Sequence, residues 1–254
     1  MNPFTVIIPA RYASTRLPAK PLADIHGKPM VVRVAERALA SGAQAVWIAA
    51  DDERILSAAN THNISCLMTS VHHTSGTDRI AEASRLLHLP DEHIIVNVQG
   101  DEPLIEPALI RQVAQELSDH PGTPMATLCH PIHDEAAFRN PNIVKVVINQ
   151  QSNALYFSRA AIPWPRAGWQ TDTSTALRHM GLYAYRVSFL HQFSQLPPTS
   201  IEETEALEQL RVLWHGFPIH VGISPQAAAP GVDTIADLDY ARANFQPPSP
   251  YHES

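Results

Sequence analysis

The sequence predicts an α/β fold built on a doubly wound, mostly parallel sheet. Short apolar runs rich in β-branched residues alternate with amphipathic segments in the first half of the chain. Uninterrupted apolar runs of this kind are typical of strands buried on both faces, as in parallel sheets. The chain has 254 residues, 44% of them hydrophobic, which is enough for a large core. Strands that alternate with helices pack into such a sheet through right-handed crossovers.

The first half of the chain predicts four strands separated by helices. The strands are predicted at residues 4–9, 45–50, 64–68 and 94–98. The helices are predicted from Pro29 to Gly42, at 52–59, at 77–87 and from Pro107 onward. Pro29 and Pro107 suit the first turn of a helix, where the missing N–H has no intrahelical partner, and Gly42 suits a helix end.

The pattern changes after about residue 125, where strands follow one another without a long helix between them. Strands are predicted at residues 125–129, 143–149, 155–158, 179–186 and 219–223. The irregular segment 160–175 contains Trp164 and Trp169. Loops of this length are usually functional, so we expect a lid or an interface there.

Two helices and a tail complete the predicted chain. Ser200 is predicted to cap a helix over 201–214, and Thr234 with Asp237 is predicted to open a final helix that ends near Phe245. We divide the chain into an α/β core over 1–149, a smaller lobe over 150–218, a return to the core over 219–246 and a flexible tail over 247–254.

Composition and charge argue against several classes of protein. The chain has 18 Lys and Arg residues and 25 Asp and Glu residues, which gives a net charge of −7. Proteins that coat nucleic acid need an excess of cationic residues instead. No apolar run approaches the ~18 residues of a membrane span, and residues 1–10 lack the basic start of a signal peptide. Cys66 and Cys129 lie in apolar stretches, as reduced core thiols do. We therefore expect a cytoplasmic protein without nucleic-acid or membrane partners.

A cationic segment follows the first predicted strand. Arg11, Arg16 and Lys20 lie within ten residues of one another, with Ser14 between them. Ligands of open α/β sheets bind at the carboxyl ends of the strands, where this loop is placed. Arginine, lysine, hydroxyl and backbone N–H groups suit a polyphosphate. A solvated basic loop is the alternative, but a purely cationic loop in an acidic chain favours a phosphate site.

Carboxylates follow the strand predicted at 94–98. Asp101 and Glu102 come after Gly100 and point to opposite sides of an extended chain, so one of them faces the site. A carboxylate beside a polyphosphate suits Mg²⁺. Asp233, which precedes the last predicted helix, would complete such a metal site. Taken alone, Asp101 and Asp233 are better explained as acidic groups that cap helices, and only together do they favour a metal site.

Residues 75–79 (SGTDR) begin another predicted helix. Asp78 can stabilise the helix dipole there, which is a purely structural role. Alternatively, the free N–H groups of the first turn and Arg79 can contact the edge of a base. The residues themselves leave both interpretations open.

The blocks IIPARYASTRLPAKPL, GKPM, SGTDR, NVQGDEP, NIVKVV, LYFSRAAIPWPR, RHMGLYAYR, LEQLRVLW and GVDT occur in this order over about residues 4–245. Together they resemble the 3-deoxy-manno-octulosonate (Kdo) cytidylyltransferase family. The first block is shared by several sugar nucleotidyltransferases, whereas LYFSRAAIPW, RHMGLYAYR and LEQLR are more specific. Ala19 stands where many relatives carry Gly, and we expect little consequence because alanine is small.

The resemblance implies a nucleotidyltransferase-like variant of the Rossmann fold, in which the smaller lobe binds sugar and forms a homodimer. It implies that the enzyme converts CTP and Kdo to CMP-Kdo and pyrophosphate in the cytoplasm. The CMP-Kdo would then be used in lipopolysaccharide synthesis. It places Mg²⁺ on Asp101 and Asp233, with Arg11 and Lys20 as further catalytic residues. The implied nucleotide-binding residues are Ala10, Arg11, Ser14, Arg16, Lys20, Gly76, Thr77, Arg79 and Gln99. The implied sugar-binding residues are Arg159, as a partner for the carboxylate, with His179, Tyr183, Glu208 and Gln209.

Three other functions fit parts of the sequence. A cytidylyltransferase for a nonulosonic acid or a polyol phosphate would share the first block but not the specific later ones. A nucleotide-binding protein without catalytic activity would not need both Asp101 and Asp233. A glycosyltransferase would carry a metal-binding D-x-D motif, and QGDEP lacks that spacing.

Overall fold

The structure, a computed structural model, describes residues 2–14, 16–169 and 175–248. Its strands are β1 (Phe4–Ala10), β2 (Asp24–Ile25), β3 (Lys28–Pro29), β4 (Ala45–Ala50), β5 (Cys66–Met68), β6 (Ile94–Asn97), β7 (Met125–Pro131), β8 (Lys145–Ile148), β9 (Ala154–Ser158), β10 (Leu177–Arg186) and β11 (Ile219–Ile223). Its α-helices are α1 (Met30–Leu39), α2 (Glu53–Thr61), α3 (Gly76–Leu86), α4 (Pro107–Asp119), α5 (Glu135–Arg139), α6 (Val187–Phe193), α7 (Ser200–Glu205), α8 (Gln209–Trp214) and α9 (Ile235–Asn244).

The strands form one large sheet in the order β11-β7-β10-β6-β1-β4-β5, with β8 and β9 attached beside β10. β1 pairs in parallel with β4 and β6, β4 with β5, and β7 with β11. β10 is antiparallel to both β6 and β7, so β6 and β7 are parallel to each other. The predicted mostly parallel α/β sheet is confirmed.

Helices cover both faces of this sheet. Along β1, Phe4, Val6 and Ile8 point into a core shared with α1, α2 and α4. Ile7 points the other way, into a core shared with α3, α6 and α8. Because side chains alternate along a strand, an uninterrupted apolar run fills both layers at once. The doubly wound arrangement expected from the sequence is therefore present.

β10 comes from the segment predicted as a separate lobe, yet it lies in the middle of the main sheet. Its residues Tyr183–Arg186 pair with β6, while its first two residues pair with β8. The division into a core over 1–149 and a lobe over 150–218 stays a prediction. Residues 170–174 of the predicted long loop and 249–254 of the predicted tail lie outside the described residues.

The prediction of one helix over residues 201–214 is wrong in two respects. Thr199, and not Ser200, is its N-cap: the Thr199 hydroxyl accepts a hydrogen bond from the N–H of Glu202, whose carboxylate accepts one from the N–H of Thr199. The helix also ends at Glu205, because Ala206 adopts a left-handed conformation with φ 50° and ψ 52°. The chain resumes as α8 at Gln209. The first residues of α8, Gln209 and Leu210, are buried beside the sheet.

Three short elements were not predicted. The hairpin β2–β3 turns at His26 and Gly27, which both have positive φ, and α5 and α6 each span seven residues or fewer. Elements this short bury too few residues to show a clear period in the sequence. Among the described residues, no helix has both the length and the apolar character needed to cross a membrane.

Candidate active site

A cleft of about 390 Å³ opens at the carboxyl ends of β1 and β6. Its walls come from the loop after β1, the start of α3, the turn after β6 and the segment before α9. Most of the residues expected at a nucleotide site line it: Ala10, Arg11, Ser14, Arg16, Lys20, Gly76, Arg79, Gln99, Asp101 and Asp233. The sheet edge thus brings together segments that are more than 200 residues apart in the chain.

Gly100 allows the turn after β6 to lie against the end of β1. A Cβ atom at Gly100 would be 2.9 Å from the backbone carbonyl of Pro9. That distance is too short for an ordinary contact, so a side chain at position 100 would push the two segments apart. The close approach holds Gln99 and Asp101 beside the cationic loop.

Lys20 lies at the centre of the cleft's charged groups. Its Nζ donates hydrogen bonds to Asp101 Oδ2 at 2.5 Å, to Asp233 Oδ1 at 3.1 Å and to the carbonyl of Val232 at 2.9 Å. Arg16 Nη2 also contacts Asp233 Oδ1, at 3.1 Å. Burial lowers the pKa of Lys20, but the hydrogen bonds and charges of the two aspartates outweigh burial, so its pKa is raised.

The alternative that Asp101 and Asp233 are helix caps is wrong. Glu106 occupies the N-cap position of α4, and Thr234 occupies that of α9. The side chain of Thr234 forms a reciprocal capping box with Asp237. The carboxylates of Asp101 and Asp233 instead contact the cationic side chains of Lys20 and Arg16 in the cleft. Such contacts are expected of groups that balance charge at a binding site.

Ala19 holds the backbone that presents Lys20. Its φ of 53° and ψ of 33° are left-handed, and a short 3₁₀ turn begins at the next residue. An L-residue in this region costs roughly 1–2 kcal/mol that glycine avoids. The left-handed backbone forms with alanine in place, and the expectation that alanine has little consequence for function stays a prediction.

Glu102 points away from the cleft, as expected for one of two successive side chains. It lines a small apolar cavity with Leu109, Met180 and Leu182. Burial there, together with the charge of Asp101, raises the pKa of Glu102 to about 8. Asp101 is thus the carboxylate of this pair that faces the cleft.

Arg79 forms one wall of the cleft but is committed to protein contacts. Its guanidinium donates to Thr69 Oγ1 at 2.6 Å and to Asp51 Oδ2 at 3.1 Å. Asp51 also accepts a hydrogen bond from the N–H of Tyr12, so it links Arg79 to the cationic loop. Burial lowers the pKa of Arg79.

The segment SGTDR begins α3 with a helix cap. Ser75 accepts a hydrogen bond from the N–H of Asp78, so the segment has the structural role of starting the helix. Recognition of a base by Arg79 stays a prediction.

Thr77 faces a second group of polar residues rather than the cleft. Its hydroxyl donates to Glu208 Oε2 at 2.7 Å, at the start of α8. Burial raises the pKa of Glu208. The next residue, Gln209, is 5% exposed, and its Nε2 has no hydrogen-bond partner. A buried amide without a partner is costly and is expected where a ligand completes the site.

His179 and Tyr183 belong to the same region of β10, with ring centroids 5.4 Å apart. His179 Nε2 and Thr127 Oγ1 are 3.0 Å apart, and burial lowers the pKa of His179 to about 3. Tyr183 pairs across the sheet with Asn97, whose Oδ1 is buried without a partner. Asn97 was not among the residues expected at the site, because an asparagine inside an apolar strand carries no motif.

Arg159 is held by the interruption between α7 and α8. Its Nε donates to the carbonyl of Glu205 at 2.7 Å, and its Nη1 to the carbonyl of Pro141 at 3.2 Å. The carboxylate of Glu205 accepts from the N–H of Arg159 and from the hydroxyl of Ser158. The predicted sugar-binding residues Arg159, His179, Tyr183, Glu208 and Gln209 are not among the described residues that line the cleft.

Comparisons with known proteins give the family to which this chain belongs. A family model described as cytidylyltransferase matches residues 5–221. A 3-deoxy-manno-octulosonate cytidylyltransferase from Herminiimonas arsenicoxydans is 57% identical over 248 residues, which cover 95% of this chain and 98% of that protein. This chain belongs to the 3-deoxy-manno-octulosonate cytidylyltransferase family. A protein of the same name from Polynucleobacter necessarius is 54% identical over 239 residues, 94% of either chain.

Solved structures agree with this assignment. The structure of a CMP:2-keto-3-deoxy-manno-octonic acid synthetase in complex with CTP superposes with a TM-score of 0.88 at 44% identity, over 95% of this chain and 98% of that one. A cytidylyltransferase from Leptospira borgpetersenii shares the fold, with a TM-score of 0.63 at 16% identity over 95% of this chain and 86% of that one. The cytidylyltransferase family makes this chain a nucleotidyltransferase.

Proposed function

We propose that this enzyme transfers CMP from CTP to Kdo and releases pyrophosphate. The observation that carries the proposal is the charged group in the cleft, in which Lys20 contacts both Asp101 and Asp233 beside Arg16. This combination suits a triphosphate and a divalent cation. Membership of the Kdo cytidylyltransferase family supports CTP and Kdo as the two substrates.

The residues of the cleft fit Mg²⁺ as the cofactor. Asp101 Oδ2 and Asp233 Oδ1 both contact the Lys20 ammonium group, so the two carboxylates already converge on one cation. Mg²⁺ prefers hard oxygen ligands and commonly takes one or two carboxylates together with phosphate oxygens. Asp101 and Asp233 would hold the ion, which when bound would neutralise charge on the phosphates.

The residues of the chain act mainly by positioning and by balancing charge. Arg11, Arg16 and Lys20 bind the triphosphate and offset the charge of the pyrophosphate as it leaves. The anomeric hydroxyl of Kdo attacks the α-phosphorus in line and loses its proton to water, and the bond from that phosphorus to the departing pyrophosphate oxygen breaks. Gln99, with the backbone of the α3 start, orients the cytidine. We propose no general base among the residues of the cleft.

The sugar acid is proposed to bind beside the cleft, at the polar group on β10 and α8. Buried Asn97 Oδ1 and Gln209 Nε2 lack partners in the protein, which supports a polar ligand between them. The hydroxyl groups of a sugar can both donate to Asn97 and accept from Gln209. Glu208 and His179 provide further polar contacts, and Arg159 is proposed as the partner of the sugar carboxylate.

The proposal extends to assembly and cellular role. We propose a two-fold homodimer formed by residues of about 150–200. Large apolar side chains there are exposed, Leu155 at 58% and Trp164 at 62%, which supports an interface. Light scattering should give the mass of a dimer, and a stable active monomer would contradict this. We further propose that the enzyme works in the cytoplasm, in the synthesis of lipopolysaccharide.

Pyrophosphate release with CTP and a panel of acidic sugars tests the proposed function. We expect rapid release with Kdo and at least roughly a hundredfold lower kcat/KM with a nonulosonic acid, a difference of about 2.7 kcal/mol. A control without sugar measures background hydrolysis. Equal or faster turnover with a nonulosonic acid or a polyol phosphate would contradict the assignment of Kdo.

A further inference from the structure

We propose a second metal site, for a transition-metal ion such as Zn²⁺, formed by Glu116, His120 and His220. One candidate ligand atom from each residue lies within 4.8 Å of the others. Among residues 2–14, 16–169 and 175–248, this is the one group of three or more such side chains that meets this distance. Two imidazole nitrogens and a carboxylate oxygen suit Zn²⁺ or Co²⁺ better than Mg²⁺.

The group lies at the edge of the sheet opposite the cleft. Glu116 and His120 are one turn apart at the end of α4, and His220 is on β11. His220 pairs with Ala126, near the start of β7. The cleft lies instead at the carboxyl ends of β1 and β6, and β6 runs parallel to β7. The proposed ion is therefore separate from the Mg²⁺ proposed at Asp101 and Asp233.

Hydrogen bonds already orient part of the ligand set. The Nε2 of His220 lies 3.0 Å from Glu116 Oε2, and the Nδ1 of His120 lies 2.7 Å from the carbonyl of Glu116. The contact at Nδ1 leaves Nε2 of His120 as the nitrogen available to a metal. The contact of His120 with a backbone carbonyl is of the kind that commonly fixes the tautomer of a metal-binding histidine.

His220 is deeply buried, and one of its ring nitrogens has no partner. The residue is 4% exposed, and its Nδ1 has no hydrogen-bond partner. Polar atoms this deeply buried are nearly always paired, because an unpaired one costs free energy. Because Nε2 of His220 faces Glu116, Nε2 is the nitrogen that would bind an ion shared with Glu116, and its proton would move to Nδ1, which has no partner in the described structure.

Binding requires a small rearrangement of His120. The rings of His120 and His220 are stacked, with centroids 3.6 Å apart and planes at 22°, so their in-plane lone pairs run side by side. His120 follows the last residue of α4 and is half-buried, and its ring would have to rotate toward Glu116 and His220 to bind the same ion. The nearby cation Arg186 contacts the His120 carbonyl and is paired with Glu92.

A bound ion would join the end of α4 to the edge strand β11. Because the unfolded chain does not hold the three ligands together, an ion that binds them stabilises the folded state. The consequence is an enzyme whose thermal stability depends on a metal that is not used in nucleotide transfer.

Cobalt titration of the metal-free full-length protein tests the proposal. A Co²⁺ ion that is held by few ligands absorbs visible light through its d–d transitions. We expect this absorption to reach its maximum when one Co²⁺ ion is bound per chain. His120→Ala and Glu116→Gln should each weaken Co²⁺ binding about tenfold or more. His62→Ala is the matched control, because His62, like His120, follows the last residue of a helix. Asp101→Asn should leave the absorption unchanged.

Thermal unfolding provides a second readout, since His120 is half-buried and its removal leaves the core intact. Zn²⁺ should raise the Tm of the unchanged protein and of His62→Ala, but not that of His120→Ala. The proposal is overturned if the unchanged protein shows no Co²⁺ absorption, if His120→Ala binds Co²⁺ as tightly as the unchanged protein, or if Asp101→Asn abolishes the absorption.

Discussion

Replacing Asp101 or Asp233 by asparagine separates a catalytic role from a structural one. Neither residue caps a helix, and their side chains are 32% and 46% exposed. Asp101→Asn removes one partly solvated ion pair, with Lys20, whereas Asp233→Asn removes two, with Lys20 and Arg16. Such pairs contribute about 0–1 kcal/mol each to stability. We therefore expect Asp101→Asn to lose at most about 1 kcal/mol and Asp233→Asn at most about 2 kcal/mol. For a chain of this size these losses lower the Tm by at most about 2–4 °C and about 4–8 °C.

The same substitutions should greatly reduce turnover. Asp101 and Asp233 both contact Lys20 and are the proposed ligands of Mg²⁺, so either change removes a charge that positions the ion against the triphosphate. We expect turnover with CTP and Kdo to fall at least roughly a hundredfold, or about 2.7 kcal/mol in the barrier. The double variant should be little worse than either single one, because the two carboxylates act as a unit.

Pyrophosphate release at saturating Mg²⁺, together with thermal unfolding, measures both effects. Asp239→Asn is the control: Asp239 is exposed on α9 and pairs with Arg242 away from the cleft, so its loss should leave turnover unchanged. Near-normal turnover in both single variants would refute the reasoning, since the metal would then be held elsewhere. A large loss of Tm with proportionate loss of activity would also refute it, because the carboxylates would then be structural.

Two further predictions concern residues beside the cleft. Folding raises the pKa of Glu102 from 4.5 to about 8, so the folded protein holds the proton of this side chain more tightly than the unfolded chain does. The resulting contribution to the free energy of unfolding is fully present below about pH 4.5 and is lost as the pH rises through about 8. Glu102→Gln should therefore gain Tm relative to the unchanged protein from pH 5 to pH 8, and a constant difference would contradict this. Glu205→Gln should loosen Arg159 and raise the KM for Kdo about tenfold, or about 1.4 kcal/mol, with the KM for CTP little changed. Exposed Glu203→Gln on the same helix is the control, and an equal rise in both KM values would argue against a role for Glu205 in placing Arg159.

The strands and the cleft could be predicted because their signals are local. The apolar run of β1 is read directly from the sequence, and the rule that ligands bind at carboxyl ends places the following loop. This is why Arg11, Lys20 and Asp101 were expected at one edge before any contact was known. Gly100, between Gln99 and Asp101, likewise marks the close approach between two segments.

The remaining features depend on contacts between distant segments. Whether Asp101 caps a helix or balances Lys20 is decided by a residue 81 positions away, which no local pattern shows. The insertion of β10 between β6 and β7 is a property of the strand order. The interruption at Ala206 involves neither glycine nor proline, so the sequence offered no sign of it. The unpartnered atoms of Asn97 and Gln209 become visible only once the core is assembled.

The central claim is that the cleft directs attack on the α-phosphorus of CTP by the hydroxyl of Kdo. ³¹P NMR of the reaction of CTP, Kdo and Mg²⁺ tests this most directly, because it identifies each phosphorus-containing product. The account predicts equal amounts of pyrophosphate and of one phosphodiester, CMP-Kdo. Formation of CDP with a phosphorylated sugar, or of CMP and pyrophosphate without any phosphodiester, would contradict it.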